Sequence, residues 1–191
     1  EPLRDSMLAI SGRLDRQLTG TFQDWYAPYV DTVDLNRGLV ALAKPSGTIA
    51  AYDSGRRSIY LPVSRNQLYD FFSLFDYTDP SAVMADRVES TVAPQSLFLL
   101  NNKMVRREAL HFAKRLLANS NDNDIQRLNQ AARMALAKNA SDAEIREGIE
   151  FLTEYTSQRQ QNGVDAQQSR LEAWQSYCQL LFCQNEFLYL E

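Results

Sequence analysis

Two runs of polar residues have the composition to do chemistry. In Arg56-Arg57-Ser58-Ile59-Tyr60-Leu61-Pro62-Val63-Ser64-Arg65, three arginines fall within ten positions. Guanidinium forks pair bidentately with carboxylate, sulfate or phosphate, so this run could clamp an anion. Asp76 and Asp79 follow in a turn closed by Pro80. Two carboxylates could bind calcium with backbone carbonyls, or share acid–base work. The competing reading is structural. Aspartates make turns by bonding their own backbone, and the arginines would pair with those acids to order loops against a helical body. The structural reading is favoured. Arg87, Gln95 and Asn101 complete the candidate cluster: Gln95 can cap or cross-link helix ends, and Arg87 and Asn101 flank the apolar segment Pro94 to Leu100.

Catalytic sets are scarce. His111 is the single histidine, and its helical neighbours Arg107, Glu108, Lys114 and Arg115 place it on a solvated face. A Ser-His-Asp triad would have to use it, and a two-histidine metal site within the chain is excluded. There is no G-x-S-x-G elbow. Cys178 and Cys183 lie in a helical stretch, about 140° apart around the axis at that spacing, which argues against a disulfide between them. Neither a zinc spacing nor a C-x-x-C-H haem attachment motif occurs. No catalytic residue, metal ligand or cofactor is therefore assigned to this chain.

The elements that must position these residues are mostly helical. Leu3, Met7, Ile10, Leu14 and Leu18 make a stripe over residues 2–18, with Gly12 as a weak point at its centre. From Thr19 to Gly55, glycine and proline break the pattern. Leu39 to Ala43 and Thr48 to Tyr52, joined by Lys44-Pro45-Ser46-Gly47, read as a β-hairpin, and Ser58 to Val63 as a third, edge strand. Trp25, Tyr26 and Tyr29 form a loop-borne aromatic cluster that could bind a partner or sugar rings. Helical patterns resume over 66–75, 94–99, 102–118 and 125–138, the last capped by Asn121-Asp122. Ser141 and Glu144 form a capping box before another helix. Residues 157–168 read as a Gln-rich loop, and 170–187 as a closing helix whose aromatics belong to the core. The expected fold is mainly α: an irregular helical bundle or orthogonal array in one domain, 1–191, with a small β-hairpin or three-stranded insertion near residues 39–63.

The composition, 45% hydrophobic and 23% charged, is that of an ordinary globular domain. A net charge of −4 with scattered basic residues argues against nucleic acid. No apolar run reaches the length of a membrane span. A chain that starts at Glu1 reads as a fragment or a processed product.

Several segments together resemble one family. They are Leu3 to Asp15, Arg56 to Val63, Phe75-Asp76 with Asp79-Pro80, Thr91 to Asn101, and Asn185 to Tyr189. The chain is identified on these as similar to the domain of unknown function 1553, the PSD-one domain. It departs from the family pattern in residues 20–55 and in Ala137 to Ser141. The resemblance implies the C-terminal part of an exported (periplasmic or cell-surface) planctomycete protein that often carries a cytochrome c domain near its other end. Any haem c would then belong to that separate domain. The resemblance supplies no catalytic residues. The expectation is a non-catalytic interaction module packed on other domains of its parent. The alternatives are a domain that binds or processes polysaccharide or sulfated glycan, and a docking domain for a redox partner.

Overall fold

The computed structural model describes residues 1–18, 54–61, 69–78 and 93–189. They fall into two compact units, one of residues 1–2 and 14–91, the other of residues 3–13 and 92–191. Among the described residues there are eight α-helices, one 3-10 turn and no sheet.

The larger unit takes in α1, Pro2–Ser11, from Leu3 onward. Proline suits a first helical turn, where its missing N–H costs nothing. The helix ends well before Leu18. Gly12 takes φ 80°, its N–H donates to Ala9 O at 3.2 Å, and the Arg13 N–H donates to Leu8 O at 2.8 Å. This pair of bonds is the Schellman stop, which needs a left-handed residue at that position. Gly12 is therefore a terminator and not the weak centre of a longer helix. Arg4, Met7, Leu8 and Ser11 line the buried face.

Six more helices follow: α3, Ala93–Asn101; α4, Lys103–Leu117; α5, Asp124–Leu136; α6, Asp142–Gln161; α7, Ala166–Phe182; and α8, Asn185–Leu188. Four of them start at side-chain caps. Asn102 caps α4 by accepting from the Met104 N–H at 2.8 Å. Asn123 and Gln126 cap α5 reciprocally, two residues later than Asn121. Ser141 and Glu144 form the expected box at α6. Asp165 accepts from the Gln168 N–H at 3.0 Å and opens α7.

The Gln-rich stretch is a correction. Residues 157–161 are the last turn and more of α6, and the link to α7 is only residues 162–165. Glutamine and arginine are good helix formers, and here they make a solvated face. Gln158 reaches back to Glu154 at 3.1 Å. The break comes at Gly163, where φ is 81°.

α7 is the hub of this unit. It packs on α4 and α6, and also on α3, α5 and α8. Trp174, Cys178, Leu181 and Phe182 of α7 are buried, as are Phe112 and Leu116 of α4, Leu128 of α5 and Leu152 of α6. The Phe112 and Phe182 rings stack with centroids 6.0 Å apart. Of the terminal aromatics, Tyr177 and Phe187 are half-buried and Tyr189 is exposed.

In the smaller unit, Asp15 and Arg56 form an isolated parallel bridge, and the Asp15 N–H donates to Gly55 O at 2.7 Å. Ser58–Tyr60 is a 3-10 turn, closed by the Leu61 N–H on Ser58 O at 3.1 Å. The third strand expected at Ser58 to Val63 is thus absent from its described part. Ser58 and Leu61 are buried while Ile59 is 66% exposed, a period of three and not the two of a strand. Leu61 is extended, as the proline after it requires. Both strands of the expected hairpin, and the Trp25-Tyr26-Tyr29 cluster, lie outside the described residues. The short helix α2, Asp70–Leu74, buries Phe71 and Phe72. Tyr69, Phe75 and Tyr77 surround them, with the Phe72 and Tyr77 rings stacked at 4.8 Å.

Candidate functional site

The most elaborate polar arrangement in the larger unit centres on Glu108, a fully buried acid on the inner face of α4. Its Oε1 accepts from Arg13 Nη1 at 2.5 Å and from Arg107 Nε at 3.1 Å, and its Oε2 accepts from Ser11 Oγ at 2.8 Å. Arg115, farther along α4, donates through Nη1 to Ala9 O at 3.3 Å and Ile10 O at 2.9 Å. Two cationic contacts thus meet the carbonyl end of α1 and the turn behind it, where the helix dipole favours positive charge. One turn on from Glu108, His111 is half-buried and not fully solvated. Burial first, then the charge of Arg13, lowers its pKa, while Glu108 pulls the other way. Burial and Arg13 thus both favour the neutral imidazole. With three donors already on it, Glu108 is bound up in holding the Ser-Gly-Arg turn to α4. This arrangement is suited to fixing a turn, not to moving a proton.

The sequence carried a signal for this cluster that the motif reading passed over. Glu108 shares the inward register of Val105, Ala109 and Phe112, and an acid in that register demands donors from elsewhere. Ser11 and Arg13 supply them.

The cluster expected from the motifs is divided between the two units. Arg56, Arg57 and Asp76 belong to the smaller one. Arg56 is half-buried in the bridge to Asp15, Arg57 is exposed ahead of the 3-10 turn, and Asp76 sits at φ 53° after α2. Gln95 and Asn101 belong to α3 and are not brought together: Gln95 is buried, while Asn101 is exposed and its Nδ2 donates to Leu97 O at 2.9 Å. Arg65, Asp79 and Arg87 lie outside the described residues.

α3 has a different character. Ala-Pro-Gln-Ser-Leu-Phe-Leu-Leu-Asn carries no charge. Gln95 and Leu99 face inward, and Gln179 of α7 donates to Leu99 O at 3.1 Å and Leu100 O at 2.7 Å. On the outer side, Leu97 is 63% and Leu100 48% exposed, and Leu180, beside Gln179, is 43% exposed.

Two grooves mark the same unit. One, of about 790 Å³, runs between the end of α4, the start of α5 and α7, and includes Lys114, Asp124, Arg127 and Arg170. The other, of about 680 Å³, lies along α6 and α7, with Thr153, Thr156, Ser157 and Gln160 above Leu152 and Trp174. Asp124, Gln167 and Arg170 border both, and Arg170 Nη2 donates to Asp124 Oδ1 at 2.6 Å. Arg127 is committed to structure: it donates to Leu116 O, Asn119 O and Asp124. Among the described residues no three His, Cys, Asp or Glu side chains are grouped to hold a metal, and no helix is long and apolar enough to cross a membrane. Cys178 and Cys183 are free thiols.

Residues 1–152 match PSD1, the family described as a protein of unknown function (DUF1553). The chain belongs to that family. No curated protein and no solved structure matches it. The PSD1 match takes in α1, the Glu108 cluster and α3, and ends within α6. Asn185 to Tyr189 and the whole of α7 lie beyond it.

Proposed function

We propose that this PSD1 domain is a non-catalytic interaction module that packs against other domains of an exported, cytochrome-c-associated protein. The observation that carries the reading is the outer face of α3. Large apolar side chains grouped on the surface mark a face that another surface covers. α3 has no charged residue, and among the described residues it buries Gln95 and Leu99 while Leu97 and Leu100 stay exposed. Its polar ends are spent on the fold: Gln95 points inward, and Asn101 bonds its own helix. Replacing Leu97 and Leu100 by aspartate is expected to abolish co-purification with separately expressed domains of the parent, with the melting temperature unchanged. Retained co-purification contradicts the reading.

The groove along α6 and α7 favours a second reading, a glycan-binding domain. Hydroxyl and amide groups of Thr153, Thr156, Ser157 and Gln160 over an apolar floor match the mixed polarity of a sugar ring. A saturable rise in melting temperature with a neutral or sulfated glycan, lost in Thr156→Val/Gln160→Leu, supports it. A flat response across such a panel removes it.

A further inference from the structure

The outward face of α4 is basic along its whole length. Lys103, Arg106, Arg107 and Lys114 share that side, while the helix's one acid, Glu108, is buried on the flank where Arg115 meets α1. This is a local reversal in a chain of net charge −4. Arg107 and Arg115 hold bonds inside the unit, but Lys103, Arg106 and Lys114 are exposed and, among the described residues, take part in no ion pair.

α6 shows the complement. Glu147, Glu150 and Glu154 are exposed at i, i+3 and i+7, in one strip bordered by the exposed Arg146, and likewise in no ion pair among the described residues. Both strips repeat once per helical turn, about 5.4 Å, so two helices lying side by side bring the charges into step. α4 and α6 both pack on α7, and the charged residues named in the two strips are exposed.

We infer that these faces are partners between copies, the basic face of α4 in one chain docking on the acidic strip of α6 in another. The occupant is a second copy because the matching charge pattern is present in the chain itself. Single-stranded nucleic acid fits less well, since the exposed side of α4 offers no Phe, Tyr or Trp ring on which a base stacks; Phe112 is buried and His111 half-buried. Contact between two different faces leaves one of each open, so association continues past two copies unless the geometry closes it.

The test is sedimentation velocity of the full chain across protein concentration, at about 0.01 M and about 1 M salt, where the screening length falls from about 30 Å to about 3 Å. The expected result is a mass that rises with concentration above the 21.8 kDa monomer at low salt and returns to it at high salt. Lys103→Glu/Arg106→Glu/Lys114→Glu and Glu147→Lys/Glu150→Lys/Glu154→Lys are each expected to lose most of that association, and to regain it when mixed. All six positions are exposed, and circular dichroism checks that each variant is folded. A monomer at every concentration in low salt overturns the inference. So does association that survives both variants, or a mixture that stays monomeric. Salt-dependent binding of an oligonucleotide by a protein that remains monomeric overturns it too, and assigns the α4 face to nucleic acid.

Discussion

Glu108 shows how a charged residue earns a place in a core. The carboxylate is fully buried, yet Ser11, Arg13 and Arg107 supply three donors to it. Arginine side chains about a quarter exposed share their charge with water, so removing the acid does not strand them completely. Glu108→Gln is expected to lower unfolding free energy by about 2 kcal/mol, the loss of charge-assisted bonds to a buried group. A double-mutant cycle with Arg13→Ala in urea checks it: a coupling of about 1 kcal/mol or more is expected, and additive effects contradict the pairing. Glu144 is legible in another way, since Ser141 and Glu144 announce a capping box by spacing alone. The Ser141 backbone N–H, then its hydroxyl, then Lys138 hold the Glu144 carboxyl down from 4.5 to about 2. A folded pKa below the unfolded one contributes stability that is complete above about pH 4.5 and is lost as pH falls toward about 2. Glu144→Gln keeps the cap's shape without the charge. Its melting temperature is expected to lie below the parent's at pH 7, with the gap closing between pH 4.5 and 2; a gap constant over that range contradicts the assignment.

At the scale of elements, stripe and cap were readable from the residues, and helix ends were not. Leu14 and Leu18 extend the α1 pattern on paper, but a glycine that adopts φ 80° stops the helix before them. Gln and Ser in 157–161 look loop-like by composition, although nothing in them breaks a helix until Gly163. The Ser58 to Val63 strand failed because three residues before a proline turned tightly and buried a serine. The same locality hid the site: motif residues cluster in sequence, while Glu108 meets Ser11 and Arg13 across nearly a hundred positions. Gly148 gives a test of close packing between elements. A Cβ there would stand 2.9 Å from Leu128 Cδ2 and 3.5 Å from Tyr177 Cε2. Alanine improves helix propensity by about 1 kcal/mol, but overpacking against a buried leucine costs about 1–3 kcal/mol. Gly148→Ala is therefore expected to be destabilising in chemical denaturation, and Leu128→Val in the same chain to recover part of the loss. A stabilised Gly148→Ala contradicts this packing.

The whole molecule does not divide where its family match ends. PSD1 covers residues 1–152, but the hub of the larger unit is α7, which supplies Trp174, Cys178, Leu181 and Phe182 to the core. A chain cut after Leu152 is expected to lose cooperative melting and near-ultraviolet dichroism and to bind hydrophobic dye, as compact states without fixed packing do. A cooperative transition in that fragment would show that α7 is dispensable. The fold class was visible in the helical stripes, and the family in motifs spread along the chain. The face that supports the proposed role was visible only in part: Pro94 to Leu100 is plainly apolar, but which leucines stay in water depends on where α4 and α7 pack. The most direct test of that role replaces Leu97 with a photo-crosslinking residue in the intact parent protein, with Ile125, also exposed on α5, as the control position. The account predicts an intramolecular crosslink from position 97 to a peptide outside residues 1–191, and none from position 125. Crosslinking from neither position, or equally from both, would contradict it.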